Sequence, residues 1–135
     1  MALLHEDVTG KILEASFEVI NELGAGFLES VYENSLLLAL KQKGLIVDNQ
    51  VPLSVKFRGE NVGEFKADIV VENRVIVELK ACKAIAPEHM AQTINYLRAT
   101  GIQVGLLINF GNPKLEFKRL FSSSADGYAI QGLKI

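Results

Sequence analysis

The sequence predicts an α/β layered domain on a mixed sheet, in the order helix, three strands, helix, strand, with an extra helix at the N-terminus. Three observations lead there. Apolar residues recur at helical spacing as far as Gly44, alternate with polar ones in blocks separated by short turns up to Lys80, then return to helical spacing before one wholly apolar run. Tight turns join antiparallel strands, whereas a helix between two strands favours a parallel pair, so the sheet is mixed.

From Asp7 to Leu23, the residues Val8, Ile12, Ala15, Val19 and Leu23 fall three and four apart. They form one stripe of an amphipathic helix, capped by Asp7 or Thr9 and stopped by Gly24 and Gly26. A second helix runs from Leu28 to Lys43 and ends at Gly44. Its Leu28, Val31, Tyr32, Leu36, Leu37, Leu38, Ala39 and Leu40 cover most of the circumference, so it should be largely buried. The segments VPLSVKF, VGEFKADIVV and VIVELK read as three consecutive strands, with RGEN and ENR as their turns. Pro87 can sit in the first turn of a third helix, EHMAQTINYLRAT, which ends at Gly101. Met90, Ile94 and Leu97 make its apolar stripe, and Gln92, Asn95 and Tyr96 its polar face. VGLLINF is the kind of strand buried on both sides. LEFKRLF fits an edge strand or a helical turn, and periodicity leaves both open. The tail SSSADGYAIQGLKI carries no clear pattern, and no internal repeat is visible.

With 135 residues, the chain reads as one domain, residues 1–135, long enough to bury a core without disulfides or metal staples. Its one cysteine, Cys82, excludes an intrachain disulfide, a cysteine-built zinc site and an iron–sulfur cluster held by one subunit. With no histidine near it in sequence to activate a thiolate, Cys82 reads as a small apolar filler. Fourteen basic and sixteen acidic residues give a net charge of -2, so composition advertises no long-range attraction to nucleic acid. Any such binding must come from a local patch. The longest apolar runs are too short to cross a bilayer, which points away from membranes. Acidic residues in MALLHEDVTGK precede any long apolar stretch, the wrong order for a secretory signal, so the expectation is a cytoplasmic protein.

The stretch DIVVENRVIVELK carries the chemistry. Residues two apart in a strand share a face, so Glu78 and Lys80 point one way while Val75, Val77 and Leu79 fill the other. A turn near Glu72 to Arg74 sets the preceding strand alongside, where Asp68 can approach Glu78 or Lys80. Spacing alone does not decide which. Two carboxylates at such a distance suit a divalent cation such as Mg²⁺, which keeps several waters and takes one or two protein carboxylates. Lys80 beside them could hold or help deprotonate an attacking water, or neutralise a phosphate oxygen, which outlines metal-assisted phosphodiester hydrolysis. From D-x(9)-E-x-K alone, the commoner origin is a structural salt bridge at a sheet edge, because carboxylates and lysines are abundant. Glu29, at the start of the second helix, would by itself only favour the helix dipole, with Tyr32 and Glu33 on its side.

Taken in order, GAGFLESVYENSL with Gly26-x-x-Glu29-x-x-Tyr32, ADIVVENRVIVELKA, HMAQTINYLRATG and VGLLINFG resemble the GxxExxY protein family, a branch of the PD-(D/E)xK nuclease-like superfamily. The resemblance covers roughly Leu13 to Leu120. It implies a restriction-endonuclease-like αβββαβ core, the same order read from periodicity. It also implies catalytic roles for Glu29, Asp68, Glu78, Lys80 and Gln92, with Mg²⁺, or Mn²⁺ as a substitute, held by Asp68, Glu78 and the Leu79 carbonyl. Ala67 stands where the name-giving proline would be.

Tyr96, Lys83 and His89 are candidates for substrate contact, and Arg98, Lys114, Lys118 and Arg119 for further phosphate contacts, although any one of them is more ordinarily plain surface charge. His5 reads as a surface residue. The leading expectation is a Mg²⁺-dependent endonuclease-like hydrolase acting on DNA or RNA, and a homodimer if both strands of a duplex are to be cut. The alternative is a non-catalytic nucleic-acid-binding or partner-binding module that keeps the nuclease fold. The near-neutral charge favours that alternative.

Overall fold

The structure, a computed structural model, describes residues 3–123. Helix α1 spans Glu6–Leu23 and buries Val8, Ile12, Ala15, Val19 and Ile20, the stripe expected from spacing. Its start differs from expectation. His5, half-buried, occupies the cap with a left-handed backbone (φ 57°) and no side-chain cap bond, while Asp7 and Thr9 lie inside the first turn. The Leu3 amide donates to Glu6 Oε2 (3.3 Å), so the acid one residue earlier holds the entering chain.

Helix α2 spans Glu29–Gln42 and buries Tyr32, Leu36, Leu37 and Leu40. It is not largely buried: Leu28 is 77% and Leu38 59% exposed. The reason is layering. Helices α1 and α2 pack against each other and share one cluster with a single sheet face, so the outward side of α2 has nothing to cover it.

Three strands follow: β1 (Val47–Phe57), β2 (Glu60–Val71) and β3 (Val75–Lys80). The first hairpin turns on Arg58 and Gly59 alone, both at positive φ (52° and 81°), which suits a two-residue loop. Glu60 and Asn61, expected in the turn, belong to β2. Helix α3 (Pro87–Thr100) leads to β4 (Val104–Asn109), and β5 (Glu116–Phe121) closes the sheet as an edge strand, settling the alternatives for LEFKRLF. The tail SSSADGYAIQGLKI lies almost wholly outside the described residues. The sheet order is β1-β2-β3-β4-β5, with β3 and β4 parallel and the other neighbours antiparallel. It is the mixed sheet expected, with every residue of β4 buried.

Alternation in β2 and β3 divides the core. Ile69, Val71, Val75, Val77 and Leu79 face α1 and α2, while Val70 and Ile76 join Val51, Leu53, Tyr96 and Leu97 beneath α3. The buried residues of α3 are Thr93, Tyr96, Leu97, Ala99 and Thr100; of the expected stripe Leu97 is buried, while Met90 and Ile94 are half-buried. Two threonines serve as core residues because their hydroxyls bond to helix carbonyls, Thr93 to His89 (3.0 Å) and Thr100 to Leu97 (3.2 Å). Tyr96, expected on a polar face, is only 7% exposed. Among the described residues, no helix is long and apolar enough to cross a membrane.

The loop after β3 is pinned from below. Asn109, fully buried, accepts from the Cys82 amide (3.0 Å) and the Gly111 amide (2.9 Å), and donates to the Cys82 carbonyl (3.0 Å) and Glu116 Oε1 (3.1 Å). Glu116 also accepts from the Ile85 amide (2.9 Å), and these bonds hold its pKa down. Gly111 completes the clasp, since an added Cβ would stand 1.9 Å from the Cys82 carbonyl oxygen. Asn109→Ala should therefore orphan several buried groups and lower stability by about 2–4 kcal/mol in urea unfolding. A loss within about 0.5 kcal/mol would show that the loop is held some other way.

Candidate active site

The site begins where a ladder stops. Strands β2 and β3 pair Val71 with Val75, Val70 with Ile76 and Ile69 with Val77, and the register ends there. At the next step Asp68 confronts Glu78, and side chains replace the missing rungs. The Asp68 amide donates to Glu78 Oε1 (3.1 Å), and the Leu79 amide donates to Asp68 Oδ2 (2.9 Å). Each carboxyl is thus held by the opposite strand, which settles the partner that spacing left open.

Glu78 is 5% exposed, and its pKa is pushed up to about 9. Burial is the largest cause; the Asp68 charge and a hydrogen bond with the Asp68 carboxyl add to it, against the Asp68 amide and Lys80. At neutral pH the pair therefore retains a proton. The same charges reach Tyr96, whose phenol is raised to about 12 by burial first, then by Glu78 and Asp68. Glu29 is also raised, by partial burial of its carboxyl and by Asp68, against Lys80, His89 and the Ala81 amide. Glu29, Lys80 and Tyr96 thus lie within electrostatic reach of the Asp68–Glu78 pair.

Helix α2 brings Glu29 there through a tethered loop. The Tyr32 hydroxyl donates to the Gly24 carbonyl (2.6 Å) and accepts from the Phe27 amide (3.1 Å). Its ring, fully buried, stacks on Phe110 at 5.0 Å and 11°. Gly26 has φ 112°, a conformation that a side chain would strain. The Gly-x-x-Glu-x-x-Tyr spacing is therefore a mechanical unit: glycine bends the entry, tyrosine ties it down, and glutamate opens the helix within electrostatic reach of Asp68.

Lys80 is half-buried and shares its strand face with Glu78. Among the described residues the ion pairs join Lys43 to Glu14 (2.9 Å) and Glu18 (3.0 Å). The salt bridge that D-x(9)-E-x-K alone would suggest is not formed. The Lys80 carbonyl accepts from the Phe110 amide (2.8 Å), so its backbone faces β4, and by strand alternation the Leu79 carbonyl points to the side on which the Leu79 amide meets Asp68.

The remaining expected residues are more dispersed. Gln92 is exposed and lines a shallow groove with Val55, Phe65, Asn95 and Tyr96, with no hydrogen bond to the carboxyl pair. His89 caps its own helix, its Nδ1 accepting from the Ala86 amide (3.0 Å). Lys83 is exposed in the pinned loop, where its carbonyl accepts from Asn112 (2.7 Å). Arg98, Lys114 and Lys118 are exposed, while the Arg119 guanidinium bonds to the Leu4 carbonyl.

Two residues enter the neighbourhood without having been singled out for it. Gln50 donates through Nε2 to Glu33 Oε1 (3.0 Å), Glu33 Oε2 (3.2 Å) and Asp68 Oδ1 (3.4 Å). Glu33 is raised by burial first, then by Asp68 and Glu29, against Gln50 and Asn49. The four-residue step from Glu29 to Glu33 was the available signal for Glu33. Nothing in the sequence marks Gln50.

Among the described residues no three His, Cys, Asp or Glu side chains converge as a ready metal cage. The donor set is two carboxyls with backbone oxygen alongside, which fits a hard, largely hydrated divalent cation.

A family model described as PD-(D/E)XK nuclease superfamily matches residues 6–120. The solved structure titled "Crystal structure of SSO0001" shares the fold with a TM-score of 0.56 at 13% identity, over 90% of this chain and 62% of that one. The chain thus spans less than two thirds of that relative. No curated protein matches.

Because the folded pKa of Glu78, about 9, lies above its ordinary 4.5, protonation favours the fold. That contribution is complete below pH 4.5 and is lost as pH rises through 9. The metal-free protein should lose up to about 1.4 kcal/mol of stability per pH unit within this window. Chemical denaturation in chelator, from neutral to alkaline pH, should show the slope in the wild type and little of it in Glu78→Gln. An equal slope in both would remove Glu78 as its origin.

Proposed function

This chain belongs to the PD-(D/E)XK nuclease superfamily, and we propose that it is a metal-dependent phosphodiester hydrolase acting on nucleic acid, of the GxxExxY type, with Mg²⁺ held by Asp68 and Glu78. The observation that carries this reading is the reciprocal seating of the two carboxyls on opposing amides. It fixes both side chains before any ligand arrives, and it sets a buried glutamate against a half-buried aspartate with no ion pair to either among the described residues.

Asp68, Glu78 and the Leu79 carbonyl would hold the cation. When bound, such an ion polarises a phosphate oxygen and lowers the pKa of its water. Lys80, unpaired with either carboxylate, stands on the face of Glu78 and would supply positive charge there, suited to orienting water or meeting charge that develops on phosphate. Glu29, raised by its surroundings, would accept a proton or orient water from the α2 side. Gln92 and Tyr96 line the adjoining groove with Phe65, whose ring lies 5.8 Å from that of Tyr96. A substrate strand laid there would meet Gln92 amide groups and an exposed aromatic face. Lys83 and His89, at the loop and the start of α3, would contact phosphate beside it. Cutting both strands of a duplex together would call for a homodimer.

Adding Mg²⁺ or Mn²⁺ should raise the thermal midpoint of the wild type but not of Asp68→Ala or Glu78→Ala; at a hundredfold excess over Kd the gain is about 2.7 kcal/mol. Lys80→Ala should keep the metal response and lose about a hundredfold or more in cleavage of single-stranded, duplex or branched DNA and RNA. The net charge of -2 favours the second reading, a binding module that keeps the fold. Salt-sensitive nucleic-acid affinity without metal-dependent cleavage would decide for it. Undiminished cleavage by Lys80→Ala would sink the role given to that lysine.

A further inference from the structure

We propose that Gln50 is a positioning residue of this site, fastening Asp68 to Glu33 through its side-chain amide so that the Asp68 carboxylate stays presented to a cation. The inference rests on the reading of Asp68 as a cation ligand and extends it to Gln50 and Glu33.

The backbone is the first sign. Strand β1 runs from Val47 to Phe57, yet within it Gln50 has φ 49°, far from extended geometry. The β1–β2 ladder pairs Asn49 with Ile69 and Val51 with Ala67, leaving Gln50 and Asp68 between them outside the register. A long side chain in this conformation mid-strand is a local cost, and such costs persist where surrounding interactions hold them.

What the kink achieves is the second sign. Successive side chains of a regular strand point to opposite faces. Here Asn49 and Gln50 both act on Glu33, Gln50 through bonds of 3.0 and 3.2 Å. The left-handed residue thus delivers the amide to the α2 side, where one Nε2 also reaches Asp68 Oδ1 at 3.4 Å.

The third sign is completeness. Asp68 Oδ2 accepts from the Leu79 amide (2.9 Å), so the Gln50 bond to Oδ1 fixes the carboxylate plane from its other end. The amide hydrogens also lie between two acids that would otherwise repel, while Glu29 and Lys80 face the same cluster. Outer groups that orient a ligand in this way typically change metal affinity tenfold or more when removed.

The test is Gln50→Gly, which removes the amide while suiting the left-handed backbone. Its metal-free thermal midpoint should stay near that of the wild type, relief of the left-handed backbone offsetting the lost amide between Glu33 and Asp68, whereas its affinity for Mn²⁺, measured by calorimetry without substrate, should fall about tenfold or more. Glu33→Ala, which leaves Gln50 in place without its anchor, should fall in the same direction by less. Equal affinity in wild type and Gln50→Gly overturns the role of Gln50 and leaves the proposed hydrolase intact. Failure of Gln50→Gly to fold, or a metal-free midpoint that drops with the affinity, makes Gln50 a folding residue and also overturns it. No binding by the wild type removes the cation site itself, and the positioning role with it.

Discussion

Two carboxyl groups stand where a β-ladder should continue, and the rest of the molecule is arranged around that substitution. Asp68 and Glu78 exchange bonds with backbone amides across β2 and β3, so the strands can part without leaving those amides unpaired. A buried glutamate facing an aspartate is a poor structural choice by itself, because burial and like charge both oppose ionisation. Two apolar residues at these positions would leave the parted amides without partners. The carboxyls therefore serve the fold and create a demand for positive charge in the same place. In the free protein, burial and the Asp68 charge favour the protonated form of Glu78.

The elements that converge on this point are held by bonds far from it. Tyr32 anchors the turn that leads into α2, and its ring rests on Phe110 just beyond the end of β4. Asn109, the last residue of β4, clasps the loop that follows Lys80. Both supports thus come from the parallel neighbour of β3, a strand buried throughout. The arrangement follows from the mixed sheet: β4 can brace what leaves the C-terminal end of β3 only because the two run in the same direction. A site carried on such strands keeps its geometry better than one carried on free loops.

Most of the fold was legible because hydrophobic periodicity reports burial directly. The alternation through VIVELK assigned Val75, Val77 and Leu79 to one face, and the structure puts them there. Periodicity failed where burial was not apolar. Thr93 and Thr100 line the inward side of α3 by bonding within their own helix, so hydropathy selected Met90 and Ile94, which are only half-buried. The seven leucine, valine and alanine residues around α2 promised burial on all sides, but only the face toward α1 and the sheet has a partner. At the candidate site, the resemblance of motifs in order, rather than residue types alone, pointed to Asp68, Glu78, Lys80 and Glu29. Gln50 was invisible, since its contribution depends on one backbone angle and on β1 lying beside β2, neither of which leaves a spacing to read.

Under the proposed function, a chain with more acids than bases would act on a polyanion. Glu29, Glu33, Asp68 and Glu78 lie close enough for each to feel another, with Lys80 the lysine in their midst. Such a cluster repels a phosphodiester until positive charge is supplied. In the proposed hydrolase, a divalent cation would reverse the sign locally, so that attraction to phosphate would arise at the reacting point once the ion is bound. A broad basic surface would bind nucleic acid whether or not the site was ready. With a near-neutral net charge around an acidic centre, phosphate binding would then depend on the same ion that the proposed chemistry requires.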